Sequence, residues 1–196
     1  MKTVTYEQFL TFKPCWLCDE EGCQKLQEIG SRKAEWTAID VLNLNEVSKE
    51  ERLWAVLRKE FIDAKILHEF ACRCAERALS WIANPDPQSI KAIAVKRKWI
   101  AGKATDKELS AAERAAYSAA CSTSEAVTWS AMTTAAEAAM HGARRAALRS
   151  AESAEAMIIT ACYSEEGTVT WTTAWKRERQ WQINTLIDML QEVQDQ

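Results

Sequence analysis

Alanine sets the hydrophobic pattern of this chain. Between Ser110 and Tyr163 it recurs about every third position, in pairs such as Ala115-Ala116, Ala119-Ala120, Ala135-Ala136, Ala138-Ala139 and Ala146-Ala147. Alanine is the best helix former because it loses no side-chain entropy on ordering. An alanine face also lets two helix axes approach more closely than the usual ~8–10 Å. The pattern predicts helices packed tightly into an array. The segment is too long for one straight helix, and breaks are expected near Ser122-Thr123-Ser124 and at His141-Gly142.

Before this segment the periodic stretches are shorter. Thr5 to Phe12 reads as a helix carrying Tyr6, Phe9 and Leu10, with Gln8 in the capping-box position and Pro14 as the breaker. Asp19 to Ile29 predicts a second helix closed by Gly30 in the left-handed region. Ser31 opens a third that buries Trp36, Ile39, Val41 and Leu42 and ends at Asn43-Leu44-Asn45. Ser48 with Glu51 is a capping box for a helix carrying Leu53, Trp54, Val56, Leu57 and Phe61. Asp63 restarts the pattern, because Ile66, Leu67, Phe70, Ala71, Cys74, Ala75, Leu79 and Ile82 continue one stripe. Asn84-Pro85-Asp86-Pro87 breaks it, and Asp86 or Ser89 caps a helix from about Ile90 to Ala101, stopped by Gly102. Thr105-Asp106-Lys107-Glu108 and Ser110-Ala111-Ala112-Glu113 read as two further capping boxes. After Ser164-Glu165-Glu166-Gly167, a last helix runs from about Thr168 to Val193.

The expected fold is all-α: a compact multi-helix array built around the alanine-rich helices, with no sheet. Residues 1–47 form a short-helix N-terminal cap on a single 1–196 domain, followed by helices in 48–109, the alanine-rich 110–163 and the amphipathic 168–195. Trp36, Trp54, Trp81, Trp175 and Trp181 are expected to pack in the core.

Composition narrows the classes. Five glycines and three prolines in 196 residues disfavour a turn-rich β protein, and a net charge of −3 argues against a dedicated nucleic-acid binder. The first residues carry no apolar leader run and no stretch approaches 18 apolar residues, so neither a secretory signal nor a membrane span is expected. Seven cysteines without a leader imply reduced thiols in a cytoplasmic protein.

Candidate chemistry is sparse. Cys15 and Cys18, with Cys23 after them, have spacing that zinc accepts, and His68, Cys72 or Cys74 would have to complete the site. Cys72 and Cys74 are two apart on a helix and point apart, so structural cysteines and no cofactor are expected. Lys96, Arg97, Lys98 and Trp99, flanked by Lys91 and Lys103, offer cations and a stacking ring for nucleic acid; the plainer reading is a solvated helix end favoured by its dipole. Arg144, Arg145 and Arg149 form a second basic cluster, with Arg145 and Arg149 on one helix face, suited to an acidic patch on a partner protein. No phosphate loop, zinc-protease motif or nucleophile-and-base pair is present, so an enzyme is not expected.

From about Trp36 to Trp181 the chain resembles a family of alanine-rich helical proteins named as immunity proteins in bacteria and phages. The resemblance rests on Glu60-Phe61-Ile62, Cys72 to Leu79, Lys91 to Gly102, Thr105 to Leu109 and Arg177-Glu178-Arg179-Gln180. It implies a helical protein that binds and neutralises another protein, such as a toxin of a competing cell. The expected function is therefore non-enzymatic inhibition by steric occlusion of a protein target. Arg144, Arg145, Arg149 and an exposed Trp171 are its contact residues. The alternatives are a phage-encoded inhibitor of a host defence complex, or a nucleic-acid-contacting accessory protein using Lys96 to Trp99. An exposed alanine seam would favour a homodimer.

Overall fold

A computed structural model describes residues 1–14, 20–124, 126–164 and 171–195, with the side chains of 158–164, 171 and 172 outside the description. Among the described residues, helices begin mainly where a hydroxyl can cap them. Thr5 opens α1 (Tyr6–Leu10), Ser48 opens α4 (Lys49–Val56) and Thr105 opens α7 (Asp106–Cys121), each through a complete capping box with Gln8, Glu51 or Glu108. Thr37 does the same with Asp40 for α3 (Ala38–Leu42). Asp63 is the N-cap of α5 (Ala64–Leu79). Asp86 accepts from the Gln88 N–H to cap α6 (Pro87–Ile100), with Pro87 in the first turn. Gly102 ends α6 at φ +70°: its N–H bonds Trp99 and the Lys103 N–H bonds Lys98, a Schellman closure. The alanine-rich region divides at the expected places, giving α7, α8 (Ala126–Ala138) and α9 (Ala143–Ser164).

Four local expectations are corrected. A small sheet is present: β1 (Thr3–Thr5) pairs antiparallel with β2 (Glu35–Thr37), placing Val4 opposite Trp36. Thr5 and Thr37 are strand end and helix cap at once, so Trp36 is buried from a strand and not from the third helix. Gly30 lies inside α2 (Glu20–Ser31) and is not a left-handed cap. A Cβ there would stand 2.3 Å from the Tyr6 ring, so the glycine exists to let that ring close. Ser110 and Glu113 fall inside α7, because the Thr105 box has already started the helix. Trp81 is 51% exposed just past the end of α5; Trp54, Trp175 and Trp181 are half-buried, and Trp36 is buried.

The alanine helix α8 is the centre of the molecule, packed against α5, α6, α7 and α9. It divides two cores. Ala131, Ala135 and Ala138 face the larger, with Ala71, Ala75 and Ala78 of α5 and Ala146, Ala147 and Ala154 of α9. Ala136 and its neighbour Ala139 face the smaller, with Ala92, Leu109, Ala112 and Ala116. On α5, α7 and α8 three to four residues separate these positions, so small side chains line whole faces. The buried hydroxyls are absorbed locally: Thr133 donates to the Trp129 carbonyl (2.8 Å) and Thr134 to Ser130 (2.9 Å). The N-terminal ribbon and short helices enclose Phe9, Leu26, Ile29 and Phe61 around an apolar cavity of about 60 Å³.

The last helix, α10 (Trp171–Gln194), lies on α9 and reaches α3, α4 and α5. A buried ionic network sets its register. The fully buried Glu178 accepts from Arg77 Nε of α5 at 2.6 Å and from Gln182 at 3.2 Å. Gln182 also donates to the Ala151 carbonyl of α9 (3.0 Å), while its own oxygen accepts from Arg179 (3.0 Å). Arg179 pairs with Glu155 of α9, which also accepts from Trp175. A charge buried as deeply as that of Glu178 is tolerated because both of its carboxylate oxygens accept a hydrogen bond, although the buried Nε of Arg179 has no such partner among the described residues.

Candidate protein-binding groove

The start of α9 breaks the capping rule that α1, α3, α4 and α7 obey. Gly142 accepts the first helical bond, from the Ala146 N–H at 2.8 Å, but has no side chain to cap with. The first turn is Ala143-Arg144-Arg145-Ala146 and contains no acidic residue. Two cations at the positive end of a helix dipole are each unfavourable by roughly 0.3–1 kcal/mol. Sterics do not require the glycine: an added Cβ would touch only Arg145 Cβ, at an ordinary 3.6 Å.

These residues form one wall of an open groove of about 720 Å³. Lys59 and Glu60, between α4 and α5, line it together with Arg144, Arg145, Arg149 and Glu152 of α9, and Ala64, Ala143 and Leu148 add apolar surface. Four cations thus meet two carboxylates. Arg149 is turned toward Glu152 at 3.6 Å, whereas Arg144 and Arg145 are exposed and make no ion pair among the described residues. Close to Arg144, the guanidinium of Arg58 is sandwiched against Phe12 (4.0 Å) and Trp54 (4.4 Å). Burial, and then the charge of Arg144, pull its pKa down to about 10, so it stays cationic at neutral pH and adds to the positive potential.

The structure brings Arg144, Arg145 and Arg149 together as expected and adds Lys59, which sequence reading missed. Nothing in the local pattern connects Lys59 with a helix more than eighty residues later. Trp171 begins α10, and its side chain lies outside the described residues.

The other basic stretch is arranged differently. Lys96, Arg97, Lys98 and Trp99 do not converge on one surface, as the nucleic-acid alternative needs. Lys96 is fully buried, donates to the Met140 carbonyl and lies 4.4 Å from the Trp99 ring; burial lowers its pKa to about 8. Arg97 holds Glu69 (2.8 Å) and Glu76 in a forked pair. Trp99 donates to Asp106 (2.7 Å) and stands edge-on to His68 and His141 at 5.1 and 5.7 Å. Of the four, Lys98 alone is classed as exposed. The signal was legible: Ala92, Lys96 and Trp99 share the spacing of one helix face, and that face packs on α7 and α8.

His68 is buried, with Nδ1 unpartnered, and burial followed by the nearby Lys96 lowers its pKa to about 4. Burial also raises the Cys72 thiol to about 12 and lifts Cys74 well above its usual range, so both remain protonated. Cys15 and Cys18 lie outside the described residues, and Cys23 is half-buried on α2. Among the described residues no group of three or more His, Cys, Asp or Glu is placed to hold a metal ion. No helix among them is long and apolar enough to cross a membrane.

No family model, curated protein or solved structure matches the chain.

Proposed function

We propose that this chain is a non-enzymatic binding protein that covers the working site of another protein, using the groove of Lys59, Arg144, Arg145 and Arg149 as its contact face. The observation that carries the reading is the uncapped, doubly cationic start of α9. Side chains cap the starts of α1, α3, α4, α6 and α7, whereas α9 retains an unfavourable arrangement where the chain also opens a groove. An acidic partner surface would relieve it, supplying carboxylates to the positive end of α9 and to two arginines that make no ion pair among the described residues. The stiff array behind the groove supports the reading too, since a preorganised surface loses little entropy on binding.

The resemblance of residues 36–181 to alanine-rich immunity proteins supports a toxin as the partner. The test is a growth assay with toxins encoded beside the chain's own gene. The wild-type chain should restore growth, and the Arg144→Glu/Arg145→Glu variant should not, although its circular dichroism is unchanged. Equal protection by both chains would refute the groove. Restored phage plating against a defence complex, in place of toxin protection, would reassign the partner.

A further inference from the structure

We infer that the occupant of the groove is an acidic amphipathic α-helix of the partner, laid along the first turns of α9. The inference rests on the protein-binding reading above and adds the class of partner. Two rows on α9 carry it. Arg145 and Arg149 are four residues apart and stand about 6 Å apart along the axis, the spacing of carboxylates at i and i+4 on another helix. Beside them Arg144 and Leu148 form a parallel row, with Leu148 half-buried in the groove next to Ala143 and Ala64. An approaching helix therefore meets two arginines in one row and, in the next, a third arginine beside the apolar Leu148. Lys59, from the connection between α4 and α5, adds a fourth cation to the lining.

The same lining disfavours a nucleic-acid backbone. Glu60 and Glu152 lie within the groove, where they would repel phosphates, and the chain as a whole carries a charge of −3. A helix with two faces can set its carboxylates against Arg144, Arg145, Arg149 and Lys59 while turning its apolar ridge to Leu148. A phosphate strand has no such second face. Helix-in-groove recognition of this kind uses apolar anchors at helical spacing with charge setting the register.

The test uses the full chain and synthetic peptides of about 18 residues, long enough for five turns. One carries glutamates at i, i+4 spacing opposite a leucine stripe; a second has the same composition scrambled; the third probe is a duplex oligonucleotide. By fluorescence anisotropy the helical peptide should bind. Its affinity should fall at least about tenfold with Arg145→Glu/Arg149→Glu and return when the peptide's glutamates become lysines. Both arginines are exposed, so an unchanged thermal midpoint will show that the variant is folded. Equal binding of the scrambled peptide would overturn the helix but leave the protein-binding reading standing. Tighter binding of the duplex would overturn both. Failure of both peptides to bind below about 1 mM would overturn the inference as well.

Discussion

Glu178→Ala isolates the interaction that holds α10 in place. The carboxylate is fully buried and accepts from Arg77 of α5 and Gln182 of its own helix; Gln182 in turn reaches the backbone of α9. Deleting one member of a buried pair costs about 3–5 kcal/mol, because the charge left behind loses its compensation. The lower end applies here, since Arg77 keeps 30% of its side chain in solvent and can partly rehydrate while stacked on Trp181 at 4.4 Å. For a chain of this length each kcal/mol moves the thermal midpoint by about 2–4 °C, so a drop on the order of 6–12 °C is expected. Glu178→Gln preserves the shape and one acceptor and should lose about 1–2 kcal/mol. Thermal unfolding followed at 222 nm, with urea titrations at equal slope, measures both. A Glu178→Ala midpoint within about 2 °C of wild type would show that the network does not carry α10. Equal losses for Ala and Gln would show that the charge alone carries the interaction and that the retained shape and acceptor add nothing.

Three further perturbations have expected signs. Gly142→Asp should stabilise the start of α9 by a few tenths of a kcal/mol while weakening any acidic partner, since the new carboxylate occupies the positive end; melting and binding measured on the same sample should move in opposite directions. Gly30→Ala should destabilise by about 1–2 kcal/mol in urea titrations despite alanine's helix propensity, because the Tyr6 ring lies where the methyl would go. His68 has a folded pKa of about 4, below its unfolded value, so its contribution is complete above about pH 6.5 and is lost as pH falls toward 4. The loss amounts to at most about 3 kcal/mol; stability measured from pH 7 to pH 4 should fall less steeply in His68→Phe than in wild type.

Local chemistry was readable in the sequence where a signal spans three or four residues. The Thr5, Ser48 and Thr105 boxes, the Gly102 stop and the breaks in the alanine segment all follow from such spacings. The ribbon was not readable, because Thr3-Val4-Thr5 and Glu35-Trp36-Thr37 are too short for a period of two to register, and each ends in a residue that also caps a helix. Contacts between distant positions were equally hidden. Arg77 and Glu178 are 101 residues apart, and Lys59, just before α5, joins the groove because α5 packs directly on α9. The arginine cluster of the site was visible as charge; its missing cap and its apolar floor emerged from the packing.

The central claim is that a stiff helical block acts through the charged start of α9. The most direct measurement is the dissociation constant of a captured partner for two triple variants of equal charge change. One is Arg144→Glu/Arg145→Glu/Arg149→Glu in the groove, and the other is Lys91→Glu/Lys98→Glu/Lys103→Glu on and just after α6, all exposed positions. The groove variant should bind at least about 100-fold more weakly, with the α6 variant within about threefold of wild type. The reverse order, or equal losses, would contradict the account.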